Sequence, residues 1–273
     1  MAASGSPDQT LSVLLVTYDS AAVITSTLVA LSAQLRAGDE VVVVDNASRD
    51  DSAGVAARAA PAARIDRAAV NLGFAAGANR AAAQARGELL LFLNPDAEPA
   101  PGALEALRAG AGRWTVWQAL VTYPGGAVVN TAGGELHPLG FAWSGRCDEP
   151  VVADDAPREV GFASGACLAV ARADWQRLGG FPEAFFMYCE DVDLSMRARL
   201  AGGRVGIEPA AVFEHAYVFE RGTAKRRLLE RNRWLMLLRT YPARLLWPLL
   251  PVLALADLVL LAVATTQGWG AAK

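Results

Sequence analysis

Short, wholly apolar runs alternate with stretches of helical periodicity along the first hundred residues of the chain. Leu11 to Thr17 is leucine-rich and β-branched and predicts a first strand. Ile24, Leu28, Leu31 and Leu35 then recur at helical spacing, with Gly38 expected as the C-terminal cap. Glu40 to Val44 predicts a second buried strand and Arg64 to Val70 a weaker third. A helix from about Ala75 to Arg86 leads into Leu89–Leu93, too short for an ordinary helix and apolar at every position, as a strand buried on both faces requires. Strands and helices alternating at this spacing imply an α/β fold, its mostly parallel sheet covered by helices on both faces. From Gly110 to Arg158 the pattern changes. Gly125-Gly126, Gly133-Gly134 and short alternating stretches suggest hairpins and loops. A strand from Val160 through Val170, a short helix near Asp174 to Leu178 and an acidic helix start at Glu190 follow.

The ends of the predicted strands carry the candidate chemistry. Pro95 stops the Leu89–Leu93 strand and presents Asp96 at the carboxyl edge of the sheet, where open α/β sheets bind ligands. A carboxylate there suits a divalent metal bridging a diphosphate. Thr17-Tyr18-Asp19 and Asp45-Asn46 end two other strands and belong on the same edge. Asp45 can accept a hydrogen bond from a pyrimidine ring N–H and Tyr18 can stack on a base, although Asp and Asn are also common turn residues. The segment Asn71 to Arg80 opens a helix with small residues, suited either to a phosphate at a helix N-terminus or to close packing on the sheet. It lacks the G-x-G-x-x-G fingerprint.

Glu190-Asp191-Val192-Asp193 crowds three carboxylates into the first turn of a helix, more than capping needs. Crowded acids raise one another's proton affinity, which suits a general base acting on a hydroxyl. Of two histidines, His137 reads as a loop residue. His215 follows Ala211-Val212-Phe213 at a strand end, where a return strand can carry it beside Asp96 to complete a metal site.

Composition narrows the classes. Hydrophobic residues make up 53% of 273 residues and charged ones 19%, high and low for a soluble domain. A formal charge of −3 gives no reason to propose nucleic acid as a partner. Cys147, Cys167 and Cys189 lack metal spacing and read as reduced thiols of a cytoplasmic protein. Met1 to Thr10 has neither the basic start nor the apolar stretch of a secretory signal. Eight basic residues between Arg221 and Arg244 face one acid, Glu230, and an apolar stretch from Leu245 to Ala264 follows, interrupted by Pro248, Pro251 and Asp257. A basic collar beside an apolar segment fits a cytoplasmic membrane surface. The alternatives are a helix packed on the core or on a second copy of the chain. Whether 245–264 span the membrane or lie on it stays open.

Taken in order, Val16-Thr17-Tyr18, Val44 to Ser48, Asn71 to Phe74 with Asn79-Arg80, Asn94-Pro95-Asp96, and Phe186-Met187-Tyr188 leading into Glu190 to Leu194 resemble the glycosyltransferase family 2 enzymes of the GT-A fold. The likeness runs from Leu11 to Arg239 and is strongest to the bacterial rhamnosyltransferase-like branch. It implies a catalytic domain over residues 10–220 and a basic, apolar helical extension over 221–273. Thr17, Tyr18 and Asp45 would hold the nucleotide, with Asn71, Gly73 and Asn79 shaping the diphosphate pocket. Asn94 and Asp96 stand where such enzymes carry D-x-D. With Asn94 replacing the first aspartate, the implied Mg²⁺ or Mn²⁺ site is Asp96 assisted by His215. Asp191 matches the catalytic base, Glu190 and Asp193 the acceptor end, and Ser164 and Gly165 the wall near the transferred sugar. The implied donor is a deoxythymidine or uridine diphosphate sugar. The implied acceptor is a polyprenyl-linked or cell-envelope glycan at the cytoplasmic face of the membrane. A sugar nucleotidyltransferase or a non-catalytic scaffold are the competing readings, and the first of these would want a Gly-rich basic loop where Tyr18-Asp19-Ser20 stands.

Overall fold

The computed structural model describes residues 9–153, 155–216 and 222–266. Strand β1 (Leu11–Thr17), helix α1 (Ile24–Ser32), β2 (Glu40–Asp45), α2 (Ser52–Ala59), β3 (Arg64–Arg67), α3 (Gly73–Gln84) and β4 (Leu89–Leu93) form an alternating first half. There follow β5 (Ala97–Pro99), α4 (Ala103–Arg108), β6 (Val116–Thr122), β7 (Val129–Thr131), the hairpin β8 (Gly134–Leu136) and β9 (Ala142–Ser144), and β10 (Arg158–Glu159). The rest comprises β11 (Cys167–Ala171), α5 (Arg172–Leu178), a 3-10 turn at Glu183–Phe185, α6 (Glu190–Leu200), β12 (Val205–His215), α7 (Thr223–Thr240) and α8 (Ala243–Thr266).

The large sheet runs β10-β12-β6-β11-β4-β1-β2-β3. Strands β1, β2, β3 and β4 are mutually parallel, and β11 lies antiparallel to both β4 and β6. Since β12 is parallel to β6, the carboxyl ends of β1, β2, β4, β6 and β12 share one edge. Alternate strand residues bury on opposite faces. Val13, Leu15, Val43 and Leu91 pack with α1, α2 and α4, whereas Leu14, Val42, Leu90 and Phe92 pack with α3, α5 and α6. This is why the central strands are apolar throughout.

Several sequence expectations shift. Helix α1 ends at Ser32, and Gly38, with φ +91°, serves the turn into β2 rather than capping the helix. Strand β3 stops at Arg67, short of Val70. Helices α2 and α4 add two elements that the hydrophobic pattern did not predict. The Gly-rich middle does contain hairpins, but it also contributes β6, seven residues buried at every position in the middle of the sheet. The strand expected from Val160 is confined to Cys167–Ala171 and runs antiparallel.

The C-terminal region is closely tied to the rest. Helix α7 packs on α6, and Phe162, Phe185 and Val192 cluster with Met236, Leu237 and the α8 side chain Leu253. Helix α8 continues through Pro248 and Pro251. Leu246, Leu249, Leu250 and Leu253 form its inward stripe, while Trp247, Leu255 and Leu258 are exposed. Asp257 does not break the helix, because its carboxylate accepts hydrogen bonds from Arg233 and, at 2.8 Å, from Trp234 Nε1 on α7. Among the described residues α8 is one helix long and apolar enough to cross a membrane. The basic collar is partly spent inside the protein: Arg233 is buried against Asp257, and Arg239 pairs with Asp193 at 2.9 Å. Arg221 of that collar lies outside the described residues.

Candidate active site

At the carboxyl edge the turn after β4 is set by two backbone bonds. Asn94 N–H donates to the Ala166 carbonyl at 3.0 Å and Ala97 N–H to the Asn94 carbonyl at 3.2 Å. Strand β5 then pairs antiparallel with the end of β12, placing Ala97 opposite His215. The result brings His215 Nε2 within 3.1 Å of Asp96 Oδ1 and 3.4 Å of Asn94 Nδ2. His215 is 4% exposed at its side chain and Asp96 30%, so the carboxylate forms the open side of the pair. Burial pushes the Asp96 carboxyl upward, but the hydrogen bond and charge of His215 outweigh it and hold the group below the usual carboxylate range. Among the described residues no cluster of three or more His, Cys, Asp or Glu forms a metal cage. One carboxylate and one imidazole nitrogen 3.1 Å apart nevertheless fit Mg²⁺ or Mn²⁺, ions that commonly take their remaining ligands from substrate phosphates and water.

Asp191 approaches the same turn from the other side. Its Oδ2 accepts the Gly165 N–H at 2.9 Å and its Oδ1 the Val192 N–H at 2.8 Å. Gly165 adjoins Ala166, whose carbonyl holds Asn94, so a continuous bonded path joins Asp191 to the Asp96–His215 pair. A Cβ on Gly165 would stand 3.6 Å from Asp191 Oδ2 and 3.7 Å from the Phe74 ring. Burial raises the Asp191 carboxyl above its ordinary value despite the backbone donors, and raises the neighbouring Glu190 well above, with the Asp191 charge adding to the effect. Glu190 is buried and its Oε2 has no hydrogen-bond partner among the described residues, an arrangement better suited to the protonated acid than to the carboxylate. Ser164 N–H is held by Gln118 Oε1 at 2.7 Å, a buried glutamine on β6.

At the ends of β1 and β2, Thr17 is paired with Asp45 in register, and its Oγ1 donates to Asp45 Oδ1 at 3.1 Å. Ser48 donates to the same oxygen. Tyr18 is 43% exposed, with the Arg49 guanidinium 5.8 Å from its ring centre. Asn71 Oδ1 accepts from Asn46 Nδ2 and from Gly73 N–H, both at 2.9 Å. Asn46, buried at the end of β2, thereby ties that strand to the start of α3.

Three sequence candidates face elsewhere. Asn79 clamps the α5–α6 connection through both its amide atoms, donating to the Phe181 carbonyl at 2.8 Å and accepting its N–H at 2.9 Å, rather than lining a phosphate pocket. Gly73 packs against Phe186, where a Cβ would lie 2.4 Å from the carbonyl oxygen. Asp193 is fully buried, its oxygens bound by Arg197 at 2.6 Å and Arg239 at 2.9 Å, and it joins α6 to α7. The supporting residues Gln118 and Asn46 carry a faint sequence signal, an amide within or just after a strand of apolar neighbours.

The backbone entering α6 is unusual. Phe186, Tyr188 and Cys189 have φ of 62°, 74° and 66°. Non-glycine residues held in such conformations cost on the order of 1–3 kcal/mol each and persist where surrounding contacts over-determine them.

Comparison with known proteins places this geometry. Residues 12–175 match the family described as Glycosyl transferase family 2. The chain is 32% identical over 232 residues to the N-acetylglucosaminyl-diphospho-decaprenol L-rhamnosyltransferase of Mycobacterium tuberculosis, covering 75% of each. Its fold is similar to that of the mannosyltransferase PcManGT from Pyrobaculum calidifontis, solved with GDP-Man and Mn²⁺ (TM-score 0.62, 21% identity, 96% of this chain and 77% of that one). It is also similar to that of GalNAc-T7, solved with UDP, GalNAc and Mn²⁺ (TM-score 0.64, 16% identity); the match takes in 84% of this chain and 47% of that longer protein. The shared α/β architecture is the GT-A fold, and the family match and the rhamnosyltransferase identity agree: this chain belongs to glycosyl transferase family 2, as a rhamnosyltransferase-like glycosyltransferase.

Proposed function

We propose that the chain transfers a sugar, rhamnose in the first instance, from a nucleoside diphosphate to a hydroxyl of a lipid-linked glycan, with inversion at the anomeric carbon. The observation that carries this reading is the bonded path from Asp96 and His215 through Asn94 and Ala166 to Gly165 and Asp191. It links an acid held below the usual carboxylate range to one raised above it, which supports assigning the cation to the first and the proton to the second. Support for the sugar and the acceptor class comes from the name of the mycobacterial relative.

Thr17, Tyr18 and Asp45 receive the base and ribose. Asp45 keeps Oδ2 for a ring N–H while Oδ1 serves Thr17 and Ser48. Asp96 and His215 would hold a divalent cation, which supplies charge neutralisation of the departing diphosphate worth roughly 3–5 kcal/mol. Asp191 removes the acceptor hydroxyl proton. The freed oxygen attacks the anomeric carbon from the face opposite the diphosphate, the bond to the diphosphate breaks with its electron pair, and configuration inverts. A positioned base contributes about 10²–10⁴-fold. Ser164 and Gly165 border the transferred sugar. The exposed side of α8, with Trp247, Leu255 and Leu258, rests on the cytoplasmic face of the membrane and brings the acceptor's lipid to the enzyme.

The test is transfer by purified protein from deoxythymidine diphosphate rhamnose or uridine diphosphate sugars to an N-acetylglucosaminyl-diphospho-polyprenol, with Mn²⁺ and with chelator, the product anomer assigned by NMR. Retention of configuration, or pyrophosphate release from a nucleoside triphosphate and a sugar phosphate in place of transfer, overturns the reading.

A further inference from the structure

The left-handed backbone at Phe186, Tyr188 and Cys189 lies immediately before the helix that carries Asp191, and it is held from outside its own element. On α7, Asn232 is fully buried, and its Nδ2 donates to the carbonyls of Phe185 at 2.9 Å, Met187 at 2.7 Å and Tyr188 at 2.7 Å. Three carbonyl acceptors sharing the two N–H groups of one nitrogen fix the amide orientation, since only its NH₂ end can donate. The other end, Oδ1, accepts from Arg231 Nε at 2.9 Å, and Arg231 Nη2 donates to the Ala184 and Phe185 carbonyls at 3.0 and 2.8 Å. The Cys189 carbonyl then accepts the Asp193 N–H at 2.9 Å, starting α6. Every carbonyl from Ala184 to Cys189 except that of Phe186 is thus engaged by α7 or α6, and the Phe186 carbonyl accepts the Ala75 N–H of α3 at 3.1 Å.

We infer that Asn232 is a positioning residue for the reaction: by bridging three carbonyls of this turn it sets where α6 begins and hence where the Asp191 carboxylate stands relative to Gly165. This rests on Asp191 being the base. Removal of the bridge frees the turn to relax toward ordinary backbone, rotating the first turn of α6 and withdrawing Asp191 from the Gly165 N–H. A reacting group misplaced by about 1 Å costs on the order of 10² in rate. Donor binding, which uses the ends of β1, β2 and β4, is unaffected by that movement.

The experiment compares Asn232→Leu, which is close in shape and donates nothing, with Asn232→Ser, which keeps one donor. Met236→Ala on the same helix removes apolar packing against the same cluster, Phe185 included, while leaving every hydrogen bond to the turn in place. Measured are thermal stability, donor-induced stabilisation with Mn²⁺, kcat, KM for donor, and the pH profile of kcat. The expected result is a loss in kcat of about 10² for Asn232→Leu and a smaller loss for Asn232→Ser, an unchanged donor KM, and a displaced acid limb. Met236→Ala loses stability with kcat retained. Should Asn232→Leu fail to fold, Asn232→Ser against Met236→Ala decides. Equal kcat in those two at equal stability, or loss of donor binding together with kcat, overturns the inference. Asp191→Asn run in parallel separates the two claims: an active Asp191→Asn enzyme refutes the base, while an inactive one beside a fully active Asn232→Leu refutes only the positioning role.

Discussion

Replacing Asp191 by asparagine separates proton removal from every other task of the site. The substitution keeps volume and one acceptor oxygen, which can still take the Gly165 N–H at the observed 2.9 Å, while the amide NH₂ gives up the bond from the Val192 N–H. The amide cannot accept the hydroxyl proton, so the base contribution of about 10²–10⁴-fold, equivalent to roughly 3–5 kcal/mol, is lost from kcat. Donor affinity is retained, because Asp45 and Asp96 belong to other strand ends. The companion Glu190→Gln gives the contrast. Glu190 is buried beside Asp191, and burial first and the Asp191 charge second favour its protonated form, so an isosteric amide changes little and kcat stays within about threefold. The pH dependence follows from the same burial. Asp191 is raised above the ordinary value, so its working, ionised form accumulates only as pH climbs past that elevated value, and the acid limb of kcat lies above the common carboxylate range near ~4. Stability has the opposite slope: a carboxyl raised in the folded state favours folding fully at pH below its unfolded value and loses that contribution as pH rises through the folded one. Single-turnover transfer with radiolabelled donor reads kcat, and calorimetry with donor reads affinity. An Asp191→Asn enzyme above about a tenth of wild-type rate, or a Glu190→Gln enzyme as impaired as Asp191→Asn, refutes the assignment.

Other substitutions probe the remaining parts. Asp96→Asn and His215→Ala remove the two proposed cation holders; each should abolish the Mn²⁺-dependent part of donor-induced thermal stabilisation, and a metal titration followed by differential scanning fluorimetry checks it. Gly73→Ala meets both a φ of +80° and a Phe186 carbonyl 2.4 Å from the new Cβ, so unfolding in urea should show a loss of about 2–4 kcal/mol. Leu255→Asp combined with Leu258→Asp places two charges on the exposed side of α8 and should abolish flotation with anionic vesicles, while transfer to a short-chain soluble acceptor persists.

What the sequence makes legible is the part of the fold built from continuous apolar runs. β1, β2 and β4 are read directly because both faces are buried, and the turn at Asn94-Pro95-Asp96 follows from the proline. β6 hides because Gln118 interrupts its apolar pattern and the flanking segments are rich in glycine; only its pairing with β11 and β12 makes it central. Helices α2 and α4 are short, and α2 buries chiefly small residues, leaving little periodicity to detect. Within the site, strand ends predict which residues share an edge, but not which way a side chain turns. Asn79 and Asp193 illustrate this: each occupies a position of the right character, and each is claimed by a partner far away in sequence, the Phe181 backbone for one and Arg239 for the other.

The C-terminal helices carry the same lesson further. Residues 221–244 read as a lipid-facing collar because their charge is visible in sequence and their partners are not. In the fold, consecutive residues of α7 look in different directions: Arg231 and Asn232 hold the turn before α6, and Arg233 with Trp234 holds Asp257 of α8. The charge of Asp257, a defect in an isolated apolar helix, becomes the fixed point through which α8 is attached to the catalytic body. The apolar outer side of α8 and the α6 helix that carries Asp191 are thereby joined through one helix, α7. For an enzyme whose acceptor is anchored in lipid, such rigidity has a direct kinetic meaning. Were the outer side of α8 seated on the membrane as proposed, part of the orientational entropy of the encounter between acceptor hydroxyl and base would already be removed. The same attachment makes membrane seating and catalytic geometry separable by mutation: charges on the outer side of α8 should cost only access to lipid-bound acceptor, whereas loss of Asn232 should slow transfer to any acceptor, soluble or anchored.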